Sequence, residues 1–105
     1  MHATLTTTHG EPSDLPDLAT MAGETMLTWL REIEGFLGMV MLSDDSGSRV
    51  RVITFWASSE VAERHMAARL RLRDRITATL NVEVLETEPY EVAFADLPAL
   101  REPSA

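Results

Sequence analysis

The chain has 105 residues and a mass of 11.7 kDa, with 45% apolar residues, 17 acidic against 9 basic side chains, and a formal charge of −8. That apolar fraction suits one packed domain over residues 1–105, and the absence of cysteine excludes a disulfide scaffold, a thiol nucleophile and a cysteine zinc site. The acidic balance opposes binding to nucleic acid or to an anionic membrane surface, since both need clustered Lys and Arg.

From the N-terminus, Met1 to Gly10 has neither a basic start nor an apolar core, so it does not read as a secretory signal, and a cytoplasmic location is expected. Ala3 to Thr8 is threonine-rich, and β-branching favours a short strand there. Gly10, Pro12 and Ser13 then mark a turn, and Asp14 is placed to cap a helix with Pro16 in its first turn. Leu18, Ala22, Met26, Trp29, Leu30 and Ile33 recur at spacings of three and four, which predicts one apolar helix face ending near Ile33 before Gly35. Phe36 to Ser43 and Arg49 to Trp56 flank Asp44, Asp45, Ser46 and Gly47, the pattern of a β-hairpin. The longest uncharged run in this apolar middle, Gly35 to Ser43, falls far short of the roughly 20 residues that span a bilayer.

Ser58 or Ser59 caps a second predicted helix, with Glu60 and Glu63 in its first turn, running to about Leu80. Asn81 to Thr87 reads as the last strand, interrupted by Pro89. Tyr90 to Phe94 follows as a candidate edge strand before a tail holding Pro98 and Pro103. The order β, α, β, β, α, β is that of an α+β, ferredoxin-like βαββαβ subunit with an antiparallel sheet. Two helices cover one sheet face, yet both strands of the hairpin are apolar on both parities: Leu37, Met39 and Met41 against Val40 and Leu42 in the first, Ile53 and Phe55 against Val50, Val52 and Trp56 in the second. A homodimer burying sheet against sheet resolves this, and a monomer covered by its own tail is the alternative.

The segments Trp29-Leu30-Arg31-Glu32, Gly35-Phe36-Leu37-Gly38 and Phe55-Trp56-Ala57-Ser58 resemble the antibiotic biosynthesis monooxygenase family, over about residues 16–96 and leaving 97–105 as a tail. The resemblance implies a dimeric α/β barrel with a pocket between helices and sheet in each subunit, and no cofactor. The positions that hold Asn and Tyr in members oxidising polycyclic phenols are Val52 and Ala62 here, whereas the strand-ending Trp is kept as Trp56. The positions of the haem-degrading branch fall on the first-strand threonines, on His65 and near Arg75, so the axial imidazole of that branch is missing.

On a wheel of the second helix, His65, Arg69 and Arg73 recur at i, i+4 and i+8 within the arc of Val61, Ala62, Met66, Ala68, Leu72, Ile76 and Leu80. Three such heads on one face suit an anionic or phenolic ligand, with Arg69 and Arg73 as the anion-binding pair and His65 as a catalytic base; the resemblance puts Trp56 on the pocket wall, where its ring would stack on a planar ligand. The same residues are also read structurally, Trp56 as core packing, His65 as a hydrogen-bonded core imidazole, and the arginines as snorkelling to the rim or pairing with Glu83, Glu86, Glu88 or Glu91. No histidine pair has metal-ligand spacing, and no glycine-rich phosphate loop occurs. Two functions follow: a small-molecule-binding homodimer similar to cofactor-independent monooxygenases acting on planar phenolic or anionic compounds, or a non-catalytic dimer of the same fold that binds a ligand or another protein.

Overall fold

The computed structural model describes residues 1–10, 15–44, 48–80 and 83–96. The expected Asp14 cap, the tip of the hairpin turn at 45–47, the strand start at Asn81 and the proline tail lie outside these residues, as do the side chains of Leu18, Ala22 and Leu80. The elements run β1 (His2–His9), α1 (Leu15–Leu30), β2 (Phe36–Ser43), β3 (Arg49–Trp56), α2 (Ser59–Arg64), α3 (Met66–Leu80) and β4 (Glu83–Glu91). The strands form one sheet in the order β2-β3-β1-β4 with antiparallel pairing throughout, the split βαβ arrangement of a ferredoxin-like subunit.

β1 is the pivot of this sheet, because its β-branched threonines pair with β3 on one side and β4 on the other. Registers Thr4↔Thr54, Thr6↔Val52 and Thr8↔Val50, with Met39↔Thr54 and Met41↔Val52, place these side chains on a common face. α1 and α3 lie over that face. The other parity, Leu5↔Ile53 and Val40↔Ile53 with Ala3↔Phe55, puts an apolar row on the face turned away from α1 and α3. The tightest core sits at one end, where Leu30, Trp56 and Ala62 are buried among Met26, Trp29, Ile33, Phe36, Met39 and Val61.

Three expected boundaries are corrected. α1 ends at Leu30 rather than near Ile33, because the backbone N–H groups of Glu32 and Ile33 turn to carbonyls three residues back, Trp29 and Leu30. Gly35 then takes φ +95° and turns the chain into β2, its carbonyl accepting from the Ala57 N–H at 2.8 Å. The second helix is two: His65, with φ −104° and ψ 7°, ends α2, and its carbonyl starts the α3 ladder by accepting from the Arg69 N–H at 2.9 Å. Finally, Pro89 does not interrupt β4, and Tyr90 and Glu91 continue the same strand. β4 is an edge strand among the described residues, where a residue without N–H fits if its nitrogen faces outward.

Candidate functional site

A cavity of about 590 Å³ lies between α1, α3 and the sheet and adjoins the packed end of the core through Met26 and Leu30. Its volume is that of a site for a small organic molecule. Thr4, Thr6 and Thr8 of β1 line the sheet side, alternate residues of one strand delivering hydroxyls at a two-residue period. Met26 and Leu30 of α1 and Met66, Leu70 and Ile76 of α3 supply apolar walls from the helices. Met41 joins them from β2, and Gly23 gives it room, since a Cβ there would meet the Met41 Sδ and Cε at 3.0 Å. Methionines in such a wall adapt to ligand shape through their three rotatable bonds.

The hydroxyls on this floor are unequally engaged. Thr8 Oγ1 donates to the Val50 carbonyl at 3.0 Å, Thr6 Oγ1 lies 3.5 Å from Thr87 Oγ1, and Thr54 Oγ1 accepts from Trp56 Nε1–H at 2.9 Å. Thr4 Oγ1 is buried and has no partner.

Arg69 and Arg73 both reach the cavity from α3, one turn apart. Arg69 is only 9% exposed. Its guanidinium carbon stands 4.5 Å from the Trp56 ring centroid, its Nη2 donates to the Ala62 carbonyl at 2.9 Å, and its Nε is buried without a partner. Burial holds its pKa below the ordinary arginine value, because desolvation disfavours the charged form. Arg73 is engaged instead: it forms an ion pair with Asp74 at 2.8 Å and donates to Thr87 Oγ1 at 2.7 Å. The alternative pairing with the last-strand glutamates is replaced by a contact to the same strand at Thr87.

Trp56 and His65 lie elsewhere than the helical wheel and the family resemblance put them. Trp56 is fully buried, with Arg69 over its face and Phe36 edge-on at 5.3 Å, so its ring backs Arg69 and does not line the cavity. His65 also stays off the cavity walls, and the break between α2 and α3 falls on it. Its ring makes no hydrogen bond to a described residue. Val52 and Ala62 are the positions at which the resemblance leads one to look for Asn and Tyr. Val52 lines the cavity and Ala62 is buried in the core. Sequence reasoning gave the threonines of β1 no ligand-binding role, although Thr4, Thr6 and Thr8 at a two-residue spacing were a visible signal of a polar row on one sheet face.

Among the described residues no three His, Cys, Asp or Glu side chains group as metal ligands, and no helix is long and apolar enough to cross a membrane.

The sequence matches no family model and no curated protein. Solved structures are similar to it in fold. One from Deinococcus radiodurans, assigned to the antibiotic biosynthesis monooxygenases, superposes with a TM-score of 0.69 at 19% identity, covering 91% of this chain and 96% of its own. A monooxygenase from the gene ActVA-Orf6 of Streptomyces coelicolor, solved with nanaomycin D, gives a TM-score of 0.66 at 22% identity over 93% of this chain and 91% of its own. SnoaB, a cofactor-independent oxygenase of Streptomyces nogalater, gives 0.61 at 16% identity over 92% and 97%. The chain therefore has the fold of the antibiotic biosynthesis monooxygenase structures, and at these identities the likeness concerns fold.

Proposed function

We propose that the protein is a cytoplasmic homodimer whose subunits each bind a planar phenolic or anionic small molecule in the cavity between α1, α3 and the sheet, and that it oxidises this molecule without a cofactor. The observation that carries the reading is the cavity itself: about 590 Å³, walled by Met26, Met41, Leu70 and Ile76, with Arg69 and Arg73 on its α3 side. The likeness to SnoaB and to the structure holding nanaomycin D supports it. In such a reaction dioxygen is the oxidant: one oxygen atom enters the ring carbon opposite a phenolic hydroxyl, the other leaves as water, and the phenol becomes a quinone by losing four electrons. Arg69 and Arg73 stabilise the phenolate from which electrons leave. Trp56 acts through Arg69 as its stacking support, and His65 receives no contact with the ligand.

A second reading, ligand binding without turnover, is favoured by Val52 and Ala62, which offer no hydrogen bond at the positions of Asn and Tyr in phenol-oxidising relatives. Oxygen uptake separates the two. With dithranol as substrate and chelator-treated protein, the catalytic reading predicts uptake proportional to protein concentration above the spontaneous rate. Uptake equal to the blank, with saturable binding of the same compound, would support the non-catalytic reading.

A further inference from the structure

The cavity crosses all four strands, but among the described residues Met41 alone lines it from β2. β2 and β4 are opposite edges of the sheet, so Met41 stands at one end of the cavity. At the other end, every exposed residue of the lining belongs to β4: Leu85, Glu86, Thr87 and Pro89. The opening therefore faces β4, and a molecule entering there advances about 14 Å, three strand spacings, before it meets Met41. Val52, the register partner of Met41 on β3, lines the cavity beside it and makes this inner end apolar.

Behind Met41 stands a glycine. Leu30, Met26 and Gly23 follow at spacings of four and three on one face of α1, and the first two line the cavity while Gly23 does not. The thioether of Met41 occupies the space over it: a Cβ at Gly23 would lie 3.0 Å from both Met41 Sδ and Met41 Cε, and 3.7 Å from Met39 Cε. Gly23 is buried inside the helix, and no positive φ calls for glycine there. Since glycine weakens a helix interior relative to alanine, the missing methyl group has its use in packing, as the seat of Met41. Met39 is held against the core cluster of Leu30, Trp56 and Ala62, so a Met41 thioether pushed out of its seat has the cavity as its open direction.

Resting on the small-molecule reading above, we infer that Gly23 and Met41 set the length of ligand that the cavity accepts. Met41 is a movable end stop, and the seat over Gly23 holds its thioether back so that the cavity takes an elongated ligand whose inner end is apolar. Neither residue acts on the reacting atoms; together they determine specificity.

The test is fluorescence titration of the full chain with 2-naphthoate and with anthracene-2-carboxylate, which carries the same carboxylate and is one ring longer. The unmodified protein should bind both. Gly23→Ala should weaken the longer probe by about tenfold or more and the shorter one far less, because the added methyl group sends the Met41 thioether inward. Its thermal transition should not fall, since the flexible end of Met41 yields and alanine favours the helix. Met41→Ala added to Gly23→Ala should restore the longer probe, a coupling that independent packing effects would not give. Equal weakening of the two probes in Gly23→Ala, no weakening of either, or no restoration in the double variant would overturn the end stop and leave the cavity reading standing. A Gly23→Ala protein that fails to fold would show that Met41 cannot yield, and would overturn it as well. If the unmodified protein binds 2-naphthoate alone, Met41→Ala should admit the longer probe, and its continued exclusion would contradict the inference. No binding of either probe to the unmodified protein would overturn both readings.

Discussion

At Gly35 the backbone takes φ +95°, and a methyl group there would come within 2.9 Å of Val61 Cγ1 at the start of α2. Gly35→Ala therefore adds left-handed strain to a steric clash and should cost about 1–3 kcal/mol in denaturant unfolding. Adding Val61→Ala should relieve the clash and leave the strain. Tyr90 offers a second residue-scale test because it is the one tyrosine in the sequence. Its hydroxyl donates to Glu88 Oε2 at 2.8 Å, and this hydrogen bond, with the negative charges of Glu88 and Glu86, raises its pKa above the ordinary tyrosine value. Since the folded pKa is the higher one, the stabilising contribution is complete below the ordinary tyrosine pKa and is lost as pH climbs through the folded value. An ultraviolet titration should find a midpoint above that of a free tyrosine, and Glu88→Gln should bring it back down. The residue types of the arginine pair and of Trp56 were legible in the sequence, but their partners were not. Nothing in the spacing of Arg69 and Arg73 says that Asp74 balances one while the other lies over an indole.

At the scale of elements, Ser58 does what its position before an acidic first turn predicts: its Oγ accepts from the Val61 N–H at 3.3 Å and caps α2. Ser58→Ala should lower stability by about 1 kcal/mol in thermal or denaturant unfolding, and Ser58→Asp should retain most of it. The strands were legible because β-branched alternation and the hairpin turn are local signals. The split between α2 and α3 was not, since Arg64-His65-Met66 contains neither glycine nor proline and the break shows only in the His65 dihedrals. His65 sits at that break and does not line the cavity that Arg69 and Arg73 reach. Pro89 misled in the opposite direction, because a proline within a strand pattern signals a break unless the strand is known to be an edge, and edge position is a property of the sheet order.

For the whole molecule, the sheet carries two apolar faces and the described helices line only one. Leu5, Val40, Ile53 and Phe55 are half-buried on the other, beside the exposed side chains of Leu42 and Tyr90. A row of this kind suits burial against a second copy of the chain. Ile53→Lys places a charge at its centre, where Leu5 and Val40 flank it by register. In sedimentation the unmodified protein should run at about twice the chain mass and the variant at the chain mass, and a monomeric unmodified protein would remove the homodimer. The βαββαβ order and the need to cover a second face were readable from sequence. The cavity was not, because it arises where packing stops short, between a threonine floor and methionine walls that local patterns class as ordinary core. The account rests on that cavity, so its most direct test is an NMR titration of the uniformly labelled protein with 2-naphthoate. It predicts saturable amide shifts at Thr6, Met41, Leu70 and Ile76 with none at Leu5, Val40 and Ile53; shifts confined to that second face, or none at all, would contradict it.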